Sequence, residues 1–152
     1  MNKFINNLFT IIIVLLSSQT ICGQQITSSF SKNIVKETNQ FRKSKGLPAL
    51  IPTNEFNGIA QKHSSDMARK RVSFGHDGFK ERSQKAKKLL NGRMSGFAEN
   101  VAYGAKTSTE VVKGWENSPG HRRNMLGAYK YIGIGIAADK NGRLYYTQIF
   151  AQ

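Results

Sequence analysis

The stretch Tyr131-Ile132-Gly133-Ile134-Gly135-Ile136-Ala137-Ala138-Asp139-Lys140-Asn141-Gly142-Arg143-Leu144-Tyr145-Tyr146-Thr147-Gln148-Ile149-Phe150 changes the period of the chain. Isoleucine alternates with glycine up to Ile136, Asp139-Lys140-Asn141-Gly142 has the composition of a turn, and Leu144 to Phe150 is rich in aromatic and β-branched residues. This is a β-hairpin. Gly133 and Gly135 are two residues apart, so they lie on one strand face, and two glycines there predict that another element packs close over it.

Everything upstream of the hairpin reads mainly as helix. Ser31 caps a helix to about Lys45, with Ile34, Val35 and Phe41 inward, and Gly46 and Leu47-Pro48 stop it. Leu50-Ile51-Pro52 is an apolar joint. Thr53 caps a second helix whose Phe56, Ile59, Ala60, His63, Met67 and Ala68 fall mostly at spacings of three and four. Gly75 to Gly78 is a turn, and a basic helix follows from about Lys80 to Leu90, ended by Asn91-Gly92. Ala98 to Gly104 is short and mostly apolar, an extended or single-turn segment. Thr107-Ser108-Thr109 caps a fourth helix through Trp115, Ser118-Pro119-Gly120 breaks it, and a short helix holds Arg122 to Leu126. Helices first and a hairpin last predict an α+β class, with helices on an antiparallel sheet.

The first residues read as an export signal. Lys3 supplies a positive start, and the apolar run Leu8 to Leu16 suits a signal peptide and is short for a membrane span. Residues 1–23 are assigned to the signal, 24–33 to a polar leader, and 34–152 to one folded domain. The sole cysteine, Cys22, lies at the edge of the signal, so the mature domain has no internal disulfide. The expected location is secreted or extracellular, including a periplasmic or cell-surface site.

Lys and Arg number 23 against 9 Asp and Glu, a net charge of +14. The cations concentrate in Lys80, Arg82, Lys85, Lys87, Lys88 and Arg93. Such a run reads either as a solvated helix face or as an attachment surface for anionic lipid or acidic glycan. Export and the absence of any RNA- or DNA-binding motif argue against a nucleic-acid partner.

Four segments stand out together: Gly75-His76-Asp77-Gly78, Ala98-Glu99-Asn100-Val101-Ala102-Tyr103-Gly104, Gly114-Trp115-Glu116-Asn117-Ser118-Pro119-Gly120-His121-Arg122-Arg123-Asn124-Met125-Leu126, and the strand Tyr145 to Phe150. With Asn39-Gln40-Phe41-Arg42, Gly46-Leu47-Pro48 and Gln61 to Ala68, they resemble the CAP family of cysteine-rich secretory, antigen 5 and pathogenesis-related proteins. The resemblance covers residues 34–151 and is closest to the disulfide-free bacterial branch. It implies a three-layer α-β-α sandwich with a small antiparallel sheet, and a cleft holding two histidines and two acids. His76 and Glu99 match the first histidine and first acid. Tyr145 and Ser118 stand where animal and plant members carry the second histidine and second acid, while His121 and Glu116 lie nearby. The candidate tetrad is therefore His76, Glu99, Glu116 and His121.

Two imidazoles with a carboxylate or water are a donor set for zinc or another divalent metal, which makes His76 and His121 the candidate ligands. The same groups serve acid–base work if each carboxylate fixes a neighbouring imidazole. His63, mid-helix beside Ala60 and Met67, reads as a structural histidine, and Trp115, Tyr103 and Tyr145 as core or cleft-wall residues. No Gly-x-Ser-x-Gly elbow, mature cysteine or His-Glu-x-x-His helix is present. Three functions follow. The preferred one is a binding module for a lipid, sterol, glycan or peptide. The others are a structural or interaction domain with a vestigial cleft, and a metal-dependent peptidase- or esterase-like hydrolase.

Overall fold

The computed structural model describes residues 29–152, so the signal assigned to 1–23 and the leader up to 28 lie outside the described residues. Residues 29–43 form α1. The elements that follow are β1 (Ile51–Pro52), α2 (Asn54–Ala68), α3 (Phe79–Leu89), β2 (Phe97–Tyr103), α4 (Ser108–Asn117), α5 (Pro119–Met125), β3 (Tyr131–Ala138) and β4 (Leu144–Ala151). The class is α+β.

The sheet runs β1-β3-β4-β2. The β3–β4 hairpin and the β4–β2 pair are antiparallel, with Glu99 opposite Ile149 and Tyr103 opposite Tyr145. The sheet is mixed where an antiparallel one was expected, because the joint at Ile51–Pro52 pairs parallel with Tyr131 and Ile132. Proline cannot donate to a ladder, so β1 stops there. Helix α2 then covers the exposed edge of β3. Asn57 Oδ1 accepts from the Ile134 amide at 2.9 Å, and Gln61 both accepts from the Ile136 amide at 3.0 Å and donates to its carbonyl at 2.8 Å. Two helical side chains one turn apart thus stand in for a missing strand.

The glycines of β3 explain how α2 comes so close. A Cβ on Gly133 would meet the backbone of Phe56, and one on Gly135 the backbone of Ala60 and Gln61. Ser64 Oγ on the same helix donates to the Gly135 carbonyl at 3.0 Å and shares a hydroxyl–hydroxyl hydrogen bond of 2.8 Å with Thr147 Oγ1. The opposite sheet face takes α1 and α5. Gln148 Nε2 donates to Thr38 Oγ1 at 2.9 Å, and Asn100 Nδ2 to the His121 carbonyl at 3.2 Å. Side-chain alternation along the strands therefore separates two helical layers.

Thr53 and Thr107 cap α2 and α4 as expected, accepting from the amides of Phe56 and Glu110. Two boundaries differ. Residues 29 and 30 are already helical, so Ser31 lies within the first turn rather than at a cap. Helix α5 starts at Pro119, because a fixed φ and a missing N–H suit proline to a first helical position. His121 consequently sits inside α5. Buried Arg42 ties α1 to the end of α5 through the carbonyls of Pro48, Met125 and Gly127 at 2.8–2.9 Å.

Candidate functional site

The cluster centres on Glu99, on strand β2 at the end of the sheet order. Its carboxylate is fully buried and holds three donors. Arg82 of α3 gives it two hydrogen bonds, and His76 Nδ1 lies 2.8 Å from Oε1. A carboxylate only accepts, so Nδ1 of His76 carries a proton and Nε2 is left with its lone pair in the neutral ring.

Arg82 also secures the loop that carries His76. Nη1 donates to the Asp77 carbonyl at 2.7 Å and Nη2 to that of His76 at 3.3 Å. The loop turns at Gly78 with φ 76°, a left-handed conformation that favours glycine and leads into α3. His63 of α2 holds the loop from the other side, its Nε2 2.8 Å from the Gly75 carbonyl and 3.9 Å from Glu99 Oε1. Burial lowers the pKa of His63. The Gly75 bond opposes this, Arg82 adds to it, Glu99 opposes it and His76 adds to it. His63 is a neutral, hydrogen-bonded structural histidine.

His121 reaches the same neighbourhood from α5. Burial lowers its pKa, and the charge of His76 lowers it further, which marks the two rings as electrostatic neighbours. Behind it an amide chain runs from Asn124 through Asn100 to Gln148 and Thr38, with bonds of 2.9–3.0 Å. Asn124 Nδ2 also donates to the Glu99 carbonyl at 3.1 Å. His76 and Glu99 are thus in contact, while His121 is linked to them only by the charge of His76 acting on its ring.

Glu116 is not brought to them, which corrects the tetrad. Its carboxylate takes Lys113 Nζ at 2.6 Å and lines a separate groove with Glu37 and Phe41 of α1. Trp115 turns into the core, and the next helical residue is rotated about 100° away from it. Arg82 needs correction too. It belongs to the basic run, but it is only 9 % exposed and its guanidinium is committed to Glu99, so it is no part of an anionic-surface patch. Its spacing of four from buried Ala86 marks an inward helix face, a signal the charge count obscured.

Both oxygens of Glu99 are taken by Arg82 and His76, so this acid is not free to ligate. A divalent ion would find the ring nitrogens of His76 and His121, against about three or four protein ligands in zinc sites. Among the described residues no three His, Cys, Asp or Glu form a metal-holding group.

Beside this cluster, α2 and α3 line a groove of about 670 Å³. Its walls include Gly58, Ile59, Val72 and Leu89, and Lys62, Lys85 and Lys88 lie along it with Glu55, Asp66 and Glu81. Arg82 and His63 form its inner end.

A model of the cysteine-rich secretory protein family, CAP, matches residues 35–150. Two Bacillus subtilis proteins are similar to the chain. The uncharacterized protein YkwD is 33% identical over 121 residues, 78% of this chain and 47% of its own, and the uncharacterized membrane protein YlbC is 35% identical over 133 residues, 84% and 36%. The chain thus spans less than half the length of these relatives. Among solved structures, an outer surface protein of Borrelia burgdorferi shares the fold, with TM-score 0.72 and 19% identity over 83% of this chain and 94% of that one. An extracellular protein of Bacillus anthracis containing an SCP domain gives TM-score 0.69 and 26% identity, over 82% of this chain and 41% of that one.

Proposed function

The chain belongs to the CAP, or cysteine-rich secretory protein, family, and from that premise we propose that it is an exported binding module holding an amphipathic, lipid-like anion between α2 and α3. Export is supported by the signal-like residues 1–23 and by the extracellular and outer-surface descriptions of its structural neighbours.

The observation that carries the reading is the groove itself. Its volume of about 670 Å³ lies within the usual range for small-molecule sites, and a lining of apolar side chains and lysines suits an acyl chain with an acidic head. Ile59 and Leu89 supply surface that an acyl chain would remove from water, at roughly 25 cal/mol per Å². Lys85 and Lys88 supply the charge. The His76–Glu99–Arg82 cluster ties α3 to strand β2.

Gly58 allows a direct test. A Cβ added there meets nothing within 4 Å, so Gly58→Phe can fill the groove without a backbone clash. Calorimetric titration with palmitate should show saturable binding to the wild-type domain, and a loss of at least about tenfold in the variant, equal to about 1.4 kcal/mol. Equal affinity in the two proteins, or no binding to either, would sink the reading.

One observation favours a second reading, hydrolysis. The His76–Glu99 bond of 2.8 Å fixes a tautomer suited to a general base. Turnover of a peptide or ester substrate that disappears in His76→Asn would favour it over simple binding.

A further inference from the structure

At the hairpin end of the sheet three aromatic rings meet in the open. Phe74 is 47 % exposed and Tyr103 is 51 % exposed. Their ring centroids are 4.7 Å apart at 76°, and Tyr145 lies 5.9 Å from Tyr103 and 6.5 Å from Phe74. The fold builds this cluster from three places. Tyr103 and Tyr145 are directly opposite in the β2–β4 register. Phe74 arrives on the loop that His63 anchors through Gly75. Large aromatic surface left this exposed marks an interaction site in a water-soluble domain.

The cations around the cluster select the partner. The Arg143 guanidinium lies 5.6 Å from the centre of the Tyr103 ring. Lys70 and Arg71 line a concavity of about 510 Å³ whose walls include Met67, Phe74, Asp77 and Tyr145. Lys70 sits there at φ 56°, a left-handed backbone that residues other than glycine seldom adopt.

We propose that this pocket binds an acidic sugar of a cell-surface polysaccharide, at a site that adjoins the α2–α3 groove through Val72 and Asp77. Phe74 stacks on the C–H face of the sugar ring. Lys70, Arg71 and Arg143 receive its carboxylate, and Asp77 and Ser73 accept its hydroxyl protons. Cations and hydroxyl acceptors, Lys70, Arg71, Ser73 and Asp77, make up half of the pocket's lining, which suits a sugar better than an acyl chain. An anionic bilayer fits less well than a sugar, because Asp77 and Asp139 lie at the same surface: Asp139 accepts the Arg143 amide at 2.9 Å. Carboxylates that would repel a bilayer are useful acceptors for hydroxyl groups.

The test uses polygalacturonate, a polymer of a uronic acid, in affinity electrophoresis at about 0.15 M salt, where exposed charges are screened over ~8 Å. Dextran serves as the neutral polymer and phosphatidylserine vesicles as the lipid arm. Wild-type protein should be retarded by polygalacturonate and not by dextran. Phe74→Ala/Tyr103→Ala should weaken binding by about tenfold, the equivalent of losing two ring contacts. Arg143→Gln, which leaves all three rings in place, should weaken it as well. Lys32→Gln/Lys43→Gln on α1 removes two exposed charges outside the basic run of α3 and should change affinity by less than about twofold, as solvated surface charges do. Equal weakening by the α1 and ring variants would assign the binding to net charge and overturn the proposal. So would unchanged affinity in the ring and Arg143 variants, no retardation of the wild type, or vesicle binding with the same dependence on Phe74.

Discussion

Arg82 holds Glu99 with two hydrogen bonds, Nε to Oε2 at 2.5 Å and Nη2 to Oε1 at 2.7 Å. Helix α3 buries only two of its residues, Arg82 and Ala86, so this ion pair is its principal anchor to the sheet. Removing one partner leaves the other buried and uncompensated. Arg82→Gln and Glu99→Gln should each cost about 3–5 kcal/mol, and Arg82→Met/Glu99→Leu should recover much of that loss. Urea melts of the three variants decide it; an effect below about 1 kcal/mol for Arg82→Gln would mean that α3 is held by something else.

Gly135 and Gly58 should respond oppositely to the same change. Gly135→Ala drives a methyl into the backbone of Ala60 and Gln61 and should cost about 3 kcal/mol or more. Gly58→Ala adds a methyl where nothing lies within 4 Å, inside a helix, and should gain about 0.5–1 kcal/mol. Similar melting temperatures for the two variants would contradict the packing of α2 on β3.

Trp115 is 1 % exposed and its Nε1 donates to the Val101 carbonyl. Truncation to alanine should cost about 3–5 kcal/mol in a denaturant melt. A loss below about 1 kcal/mol would show that the ring is not a core anchor.

The two depressed histidines give a signed pH dependence. The pKa values of His63 and His121 are lowered in the fold, so on acidification the unfolded chain takes up protons first. Stability contributed by their neutral forms is present above the ordinary imidazole value, near ~6.5, and is lost as pH falls through the lower folded values. Melting temperature should therefore drop as pH is lowered below about 6.5. The drop should be shallower in His63→Gln; an identical profile would remove His63 as a contributor.

The basic face of α3 should attach to anionic surfaces without Arg82. Lys85→Gln/Lys87→Gln/Lys88→Gln should weaken binding to phosphatidylserine vesicles, and added salt should do the same, while the melting temperature stays within about 2 °C. Unaltered vesicle binding would return these lysines to a solvated helix face.

The class of fold was legible because its signals are local. Glycine and isoleucine alternating through Ile136, Thr53 and Thr107 at helix starts, and Asn141-Gly142 at the hairpin turn each act within a few residues. Gly133 and Gly135 even announced the close approach of α2. The parallel pairing of Ile51–Pro52 was not legible, since two residues carry no period and their partner lies about 80 positions away.

What the sequence alone determined was which segments bury a face, and it singled out His76, Glu99 and His121 by their flanking residues. Tertiary structure decided what each side chain meets. Arg82 left the basic surface for a carboxylate on another element, Glu116 turned to Lys113, and Phe74, Tyr103 and Tyr145 became one cluster. The reason is physical. Periodicity reports whether a residue points inward, but the partner of a buried charge or ring is set by how separate helices and strands pack, over sequence distances that no local pattern spans.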